Sequence, residues 1–232
     1  MDYQILYEPF PVVLFNLEDN EEVCCQGGAM SWCSPNMEMQ TTSNGGIGKV
    51  FGRLFTGDSL FMNRYIADGS GFIAFSSHFV GTIIPVEIRP DRDFIVQKTG
   101  FLASYGNVDQ TVHFQKKLGT AFFGGEGLVM QRFSGNGIIF VEIDGYCREY
   151  ELARGERMIL NTGFLAAMDS TCDMDVEMVK GAKNIFFGGE GIANTVVTGP
   201  GKIYVQTKPI AQLAKSLKPY FPTQTTSSSS ND

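Results

Sequence analysis

Two histidines, five cysteines and a glycine-rich hexapeptide that occurs twice are the parts of this 232-residue sequence whose types could do chemistry. His78 and His113 stand alone, with no H-x-H or H-x-x-x-H spacing. A cupin-like metal site in a β-barrel would be short of ligands, so each is expected to be an ordinary strand histidine. Cys24, Cys25, Cys33, Cys147 and Cys172 are odd in number and form no C-x-x-C pair, which suggests neither a zinc ribbon nor a disulfide framework and fits a reducing compartment. A thiolate with a distant His, or a Ser-His-Asp triad, has parts available but no pattern. No metal or cofactor is expected, and the chain reads as a non-enzyme.

The hexapeptide FFGGEG stands at 122–127 and again at 186–191. It fails as a phosphate loop, because the residues after it, Leu128-Val129-Met130, have a strand pattern and no Gly-Lys-Ser/Thr opens a helix. It fails as a dinucleotide fingerprint because Met130 stands where the third glycine belongs. A backbone role explains more. Two glycines after a Phe pair mark a bulge or bend at which one backbone approaches another, and the carboxylate that follows can accept hydrogen bonds from the N–H groups freed there. The expected motif residues are Phe123, Gly124, Gly125, Glu126 and Gly127 in one copy and Phe187, Gly188, Gly189, Glu190 and Gly191 in the other. A diverged copy upstream places Phe55, Gly57 and Asp58 in the same roles.

The elements that must carry these motifs are strands. LVMQRFSGNGIIFVEI (128–143) lies over IANTVVTGPGKIYVQT (192–207), and TGFLA occurs at 99–103 and 162–166. Three units of about 1–80, 81–144 and 145–208 follow. Residues 141–160 alternate around Ile143, Cys147, Tyr150 and Leu152 as a half-buried strand would. Gly-rich turns at Asp68-Gly69-Ser70-Gly71, Gly135-Asn136-Gly137 and Gly199-Pro200-Gly201 read as hairpins. One helix is signalled near 210–218, with Ile210, Leu213, Ala214 and Leu217 on one face, and it is expected to cover β-sheet. Residues 1–222 are expected to form a single compact domain, with 223–232 a disordered tail.

A formal charge of −7 argues against a general nucleic-acid binder. Lys116, Lys117 and Arg132 near Phe114, Phe122 and Phe133 could hold a single strand by charge and stacking, but snorkelling over a Phe-rich core is the favoured reading. Charge is uneven: seven acidic residues and no Lys or Arg precede Lys49, whereas six lysines and one acid lie between 180 and 218, and solvated surface charge is the favoured reading over an end-to-end or intersubunit contact. The opening residues lack a basic n-region and no apolar run approaches the ~18 residues that span a bilayer, so cytoplasmic residence is expected.

The repeated FFGGEG with its strand-turn-strand continuation, the TGFLA segments and the ending IAQLAKSLKPYFPTQ resemble the family named for altered inheritance of mitochondria, number twenty-four. The resemblance implies an all-β fold of three pseudo-repeated units in a short double-stranded β-helix-like sandwich around a pseudo-threefold axis, similar to the tryptophan RNA-binding attenuation protein. It implies no established activity. Two expectations of different class follow. One is a non-enzymatic scaffold or interaction module that forms a homo-oligomer. The other is a small-molecule or nucleic-acid binding module with a pocket between repeats or at the axis.

Overall fold

Short runs of alternating or continuous apolar residues, cut by Gly, Asn and Pro, leave little room for helices, and the fold is built from antiparallel strands. The structure is a computed structural model that describes residues 1–43, 61–116, 127–178 and 193–221. The first stretch of chain supplies β1 (Asp2–Leu6), β2 (Val12–Leu17), β3 (Glu22–Gln26), β4 (Met30–Cys33), β5 (Met37–Ser43), β6 (Phe61–Ala67) and β7 (Gly71–Ser76). The middle stretch supplies β8 (Gly81–Ile88), β9 (Phe94–Gln97) and two long strands, β10 (Phe101–Lys116) and β11 (Leu128–Asp144). The last supplies β12 (Cys147–Leu152), β13 (Arg157–Asn161), β14 (Leu165–Asp169), β15 (Asp173–Met178), β16 (Ala193–Thr198), β17 (Gly201–Gln206) and the helix α1 (Ile210–Leu217).

One pairing scheme recurs in the three stretches. In the first, β7 lies between β2 and β4 while β6 lies between β3 and β5. In the last, β17 lies between β12 and β14 while β16 lies between β13 and β15. In the middle, β11 performs both roles: its second half lies between β8 and the start of β10, and its first half between β9 and the end of β10. A bulge falls at the matching place each time, between Met30 and Trp32, between Phe101 and Ala103, and between Leu165 and Ala167. These registers set Phe101 against Leu165, one residue away from the match that the two TGFLA segments suggest.

The glycine turns are corners, which corrects the hairpin expectation. Neither β6 with β7 nor β16 with β17 forms a pair; the chain passes at the turn from one sheet to another. At the middle corner β10 and β11 run through together, with Asn107 opposite Asn136. A Cβ at Gly135 or Gly137 would strike the Asn107 or Tyr105 carbonyl, and Gly135 has φ 113°, so this crossing requires glycine.

The three stretches join by edge pairing. Strand β3 takes β10 as its second neighbour, with Cys25, Cys24 and Val23 opposite Ala103, Ser104 and Tyr105. Strand β9 takes β14 in the same manner, with Val96, Ile95 and Phe94 opposite Ala167, Met168 and Asp169. Three apolar clusters follow this order. The first centres on Phe15, Phe75 and Phe140, the second on Phe94, Phe101 and Phe133, and the third on Ile95, Met130 and Ile203.

Two expectations are altered. Strand β12 is at an edge, paired with β17 alone among the described strands, so Leu152 is buried while Tyr150 is exposed. Helix α1 forms as its spacing predicts, but none of its residues is buried. It is held instead at its start, where the Ile210 N–H donates to Asp144 Oδ2 at 2.6 Å.

Candidate functional site

Phe55, Gly57, Asp58, Phe123, Gly124, Gly125, Glu126, Phe187, Gly188, Gly189, Glu190 and Gly191 lie outside the described residues, as do Lys117 and Phe122. Gly127 is described; it is buried with φ 81°, a conformation that favours glycine. The three stretches of chain holding these motifs each connect strands that pair with one another, as Ser43 opposite Phe61, Lys116 opposite Leu128, and Met178 opposite Ala193 mark.

At the other end of the strands two side chains that sequence reasoning passed over hold the connections between stretches. Glu142, near the end of β11, is 6% exposed. It accepts from Ser77 Oγ at 2.9 Å, from the His78 N–H at 2.7 Å and from the His78 ring, Nδ1 to Oε1 2.7 Å. His78 is therefore part of a latch on the 77–80 connection, and the Glu142 hydrogen bond holds its pKa above the usual imidazole range. Gln206, at the matching place on β17, accepts from the Asp144 N–H at 3.1 Å and donates to the Gly163 carbonyl at 2.6 Å. The available signal was a carboxylate inside the apolar run Phe140-Val141-Glu142-Ile143, which needs partners if it is buried.

Among the described residues, the basic and aromatic ones do not form a stacking platform. Phe133 is 1% exposed and stacks on Phe101 with ring centres 5.0 Å apart. Arg132 pairs with Asp93 at 2.9 Å and Lys116 donates to the Val176 carbonyl at 2.6 Å. His113 has its pKa lowered, by burial first and then by Arg132. Burial also pushes three thiols up, Cys25 to about 12 and Cys147 and Cys172 to about 11, which makes them poor nucleophiles.

One concavity brings polar groups together. It lies where the first stretch meets the middle one, has a volume of about 280 Å³, and is lined by β3, β6, β10 and Phe133 of β11. Arg64 Nη1 meets Glu22 at 3.3 Å, while its buried Nε has no hydrogen-bond partner among the described residues. Gln110 donates to Gln131 at 2.9 Å, which leaves the Gln110 Oε1 unpartnered at a residue only 8% exposed. The lining also includes Glu22 and Asp109, so charged and amide side chains surround the cavity, although the Arg64 Nε and Gln110 Oε1 atoms themselves are buried away from it. Cys24 also faces it, with its thiol pKa raised mainly by burial.

The sequence pattern of the family described as "Mitochondrial biogenesis AIM24" matches residues 3–208. An uncharacterised protein of Streptococcus pyogenes serotype M6 is 30% identical over 222 residues, which is 92% of this chain and 88% of that protein. A Streptococcus pyogenes protein solved by X-ray crystallography has a similar fold, with a TM-score of 0.78 and 25% identity over 95% of this chain and 99% of that one. Among the described residues, no helix is long and apolar enough to cross a membrane.

Proposed function

The chain belongs to the Mitochondrial biogenesis AIM24 family, and from that membership we propose that it is a non-enzymatic β scaffold that associates with itself. In this reading residues 1–222 are one domain of three repeats. The observation that supports it most is the recurrence of one pairing scheme joined by edge strands, an architecture that adds units by backbone hydrogen bonding. Closure about a pseudo-threefold axis, as likeness to the attenuation protein implies, calls for a third junction between β4 and β13. Among the described residues β4 pairs only with β7 and β13 only with β16.

A second reading takes the concavity between the first two units as a small-molecule site, on the strength of the charged and amide residues Glu22, Arg64, Asp109 and Gln110 in its lining. Native mass spectrometry of the protein from its own host separates the two. Masses in multiples of 25.5 kDa without a retained compound support the scaffold. A single-chain mass carrying one small molecule at full occupancy supports the pocket instead.

A further inference from the structure

Strands β3, β9 and β13 hold corresponding places, and so do β4, β10 and β14. Two of the three possible junctions are made within the chain. Left over, among the described strands, are β4, with no neighbour beyond β7, and β13, with none beyond β16. We infer that β13 of one chain pairs antiparallel with β4 of a second copy, which repeats between molecules the junction that already joins β3 to β10 and β9 to β14. This rests on the self-association proposed above and names its surface.

The register transfers directly. Ala103 lies opposite Cys25 and Ala167 opposite Val96; Ser104 lies opposite Cys24 and Met168 opposite Ile95. The bulges and the pairings to β6, β11 and β16 set Trp32 with Ala103 and Ala167, and Leu160 with Cys25 and Val96. Trp32 then falls opposite Leu160, and Cys33 opposite Ile159. In the isolated chain Trp32 is 44% exposed and Ile159 65%, so the two edges offer apolar side chains to each other.

Each of the other described edges carries at least one acidic residue, whereas β4 and β13 carry none. Strand β1 carries Asp2, β5 carries Glu38, β8 carries Pro85 and Glu87, β12 carries Arg148, Glu149 and Glu151, and β15 carries Asp173, Asp175 and Glu177. Charges and proline are the usual means of keeping an edge from accepting a strand. Strand β4 (MSWC) has no charge, and β13 (RMILN) has only Arg157 at its first position.

Trp32 is the sole tryptophan, so its fluorescence reports on this junction in the full chain. On raising concentration, the mass by sedimentation should rise above one chain while the Trp32 emission moves to the blue and acrylamide quenching falls. Ile159→Lys, at an exposed site on the opposite edge, should leave the melting curve unchanged yet weaken association at least about tenfold and return the emission to the red, since an unpaired ammonium buried at the junction costs more than the about 1.4 kcal/mol that a factor of ten represents. As a second readout, Ile159→Cys treated with a mild thiol oxidant, such as diamide, should form a disulfide with native Cys33 that links two chains, and adding Cys33→Ser should abolish it. Association with Trp32 still exposed would overturn the assignment of this face while keeping the scaffold. One-chain mass at all concentrations would overturn both. A Cys33 disulfide formed within one chain would show that the third junction closes internally and would overturn the intermolecular one.

Discussion

Ile95 and Ile159 are the same residue at corresponding places, one in a filled junction and one at an open edge. Ile95 lies opposite Met168 and is fully buried in the third apolar cluster; Ile159 has β16 on one side and is 65% exposed. The backbone scheme around them is alike. What differs is the presence of a following unit, so burial here is conferred by a neighbour and not by the strand's own sequence.

The comparison predicts unequal costs. Ile95→Ala should lower unfolding free energy by about 2–5 kcal/mol, the range for truncating a buried aliphatic side chain, measured by urea unfolding. If it costs no more than the same change at an exposed site, the β9 to β14 junction is not a packed one.

Glu142→Gln tests whether the filled junctions depend on their connections as well as their strands. Loss of the charged acceptor for Ser77 and His78 should cost about 1–3 kcal/mol. The pH profile gives a sharper reading. His78 has a raised folded pKa, so its contribution is fully present below the ordinary value of 6.5 and is lost as pH rises through the folded value. Asp144 nearby also has a raised pKa, chiefly through burial, and its neutral form is favoured in the same sense at lower pH. Melts between pH 6 and 8 should therefore show stability falling with pH in the parent, and a flatter slope in the Gln variant.

Tyr105→Phe is a milder probe of the β3 to β10 junction. The Tyr105 hydroxyl donates to Glu21 Oε1 at 2.7 Å, and its loss should cost about 0.5–1.5 kcal/mol. Glu21 is held at about 2, first by the Glu18 N–H and then by Tyr105. The stabilisation it provides is present above its ordinary value of 4.5 and is lost as pH falls toward 2. The Phe variant should thus unfold at a higher pH on acid titration.

The smallest effect is expected at the open edge. Ile159→Ala should change the stability of the single chain by no more than about 0.5 kcal/mol, as exposed substitutions usually do. A cost comparable with that of Ile95→Ala would mean that β13 is already covered.

The strands, the places of the glycine turns and the position of α1 were legible, because alternation, φ-permissive residues and helical spacing are local signals; that the turns are corners and not hairpins was not. Pairing partners were not. Nothing near Gly69 or Gly199 states that the strands flanking the turn belong to different sheets, since that depends on β2 and β12 far back in the chain. The alternation of Cys147, Tyr150 and Leu152 predicts a half-buried strand correctly for Leu152 and wrongly for Tyr150, because period does not reveal an edge. Glu142 could be noticed only as a charge out of place in an apolar run. The apolar face of α1 was legible, but the surface that would cover it was not.

Within each stretch the strands pair among themselves, and only β10 and β14 reach back to an earlier stretch. During synthesis this gives the chain a direction. When β7 has joined β2 and β4, β3 stands with one side free until β10 arrives; when β11 has joined β8, β9 stands free until β14 arrives. If folding follows synthesis, each unit has an edge of the preceding one to dock on, with a sequence separation about one third of the chain. Once β17 is in place, β13 stands as β3 and β9 each stood one unit earlier, as a finished template that awaits the next strand.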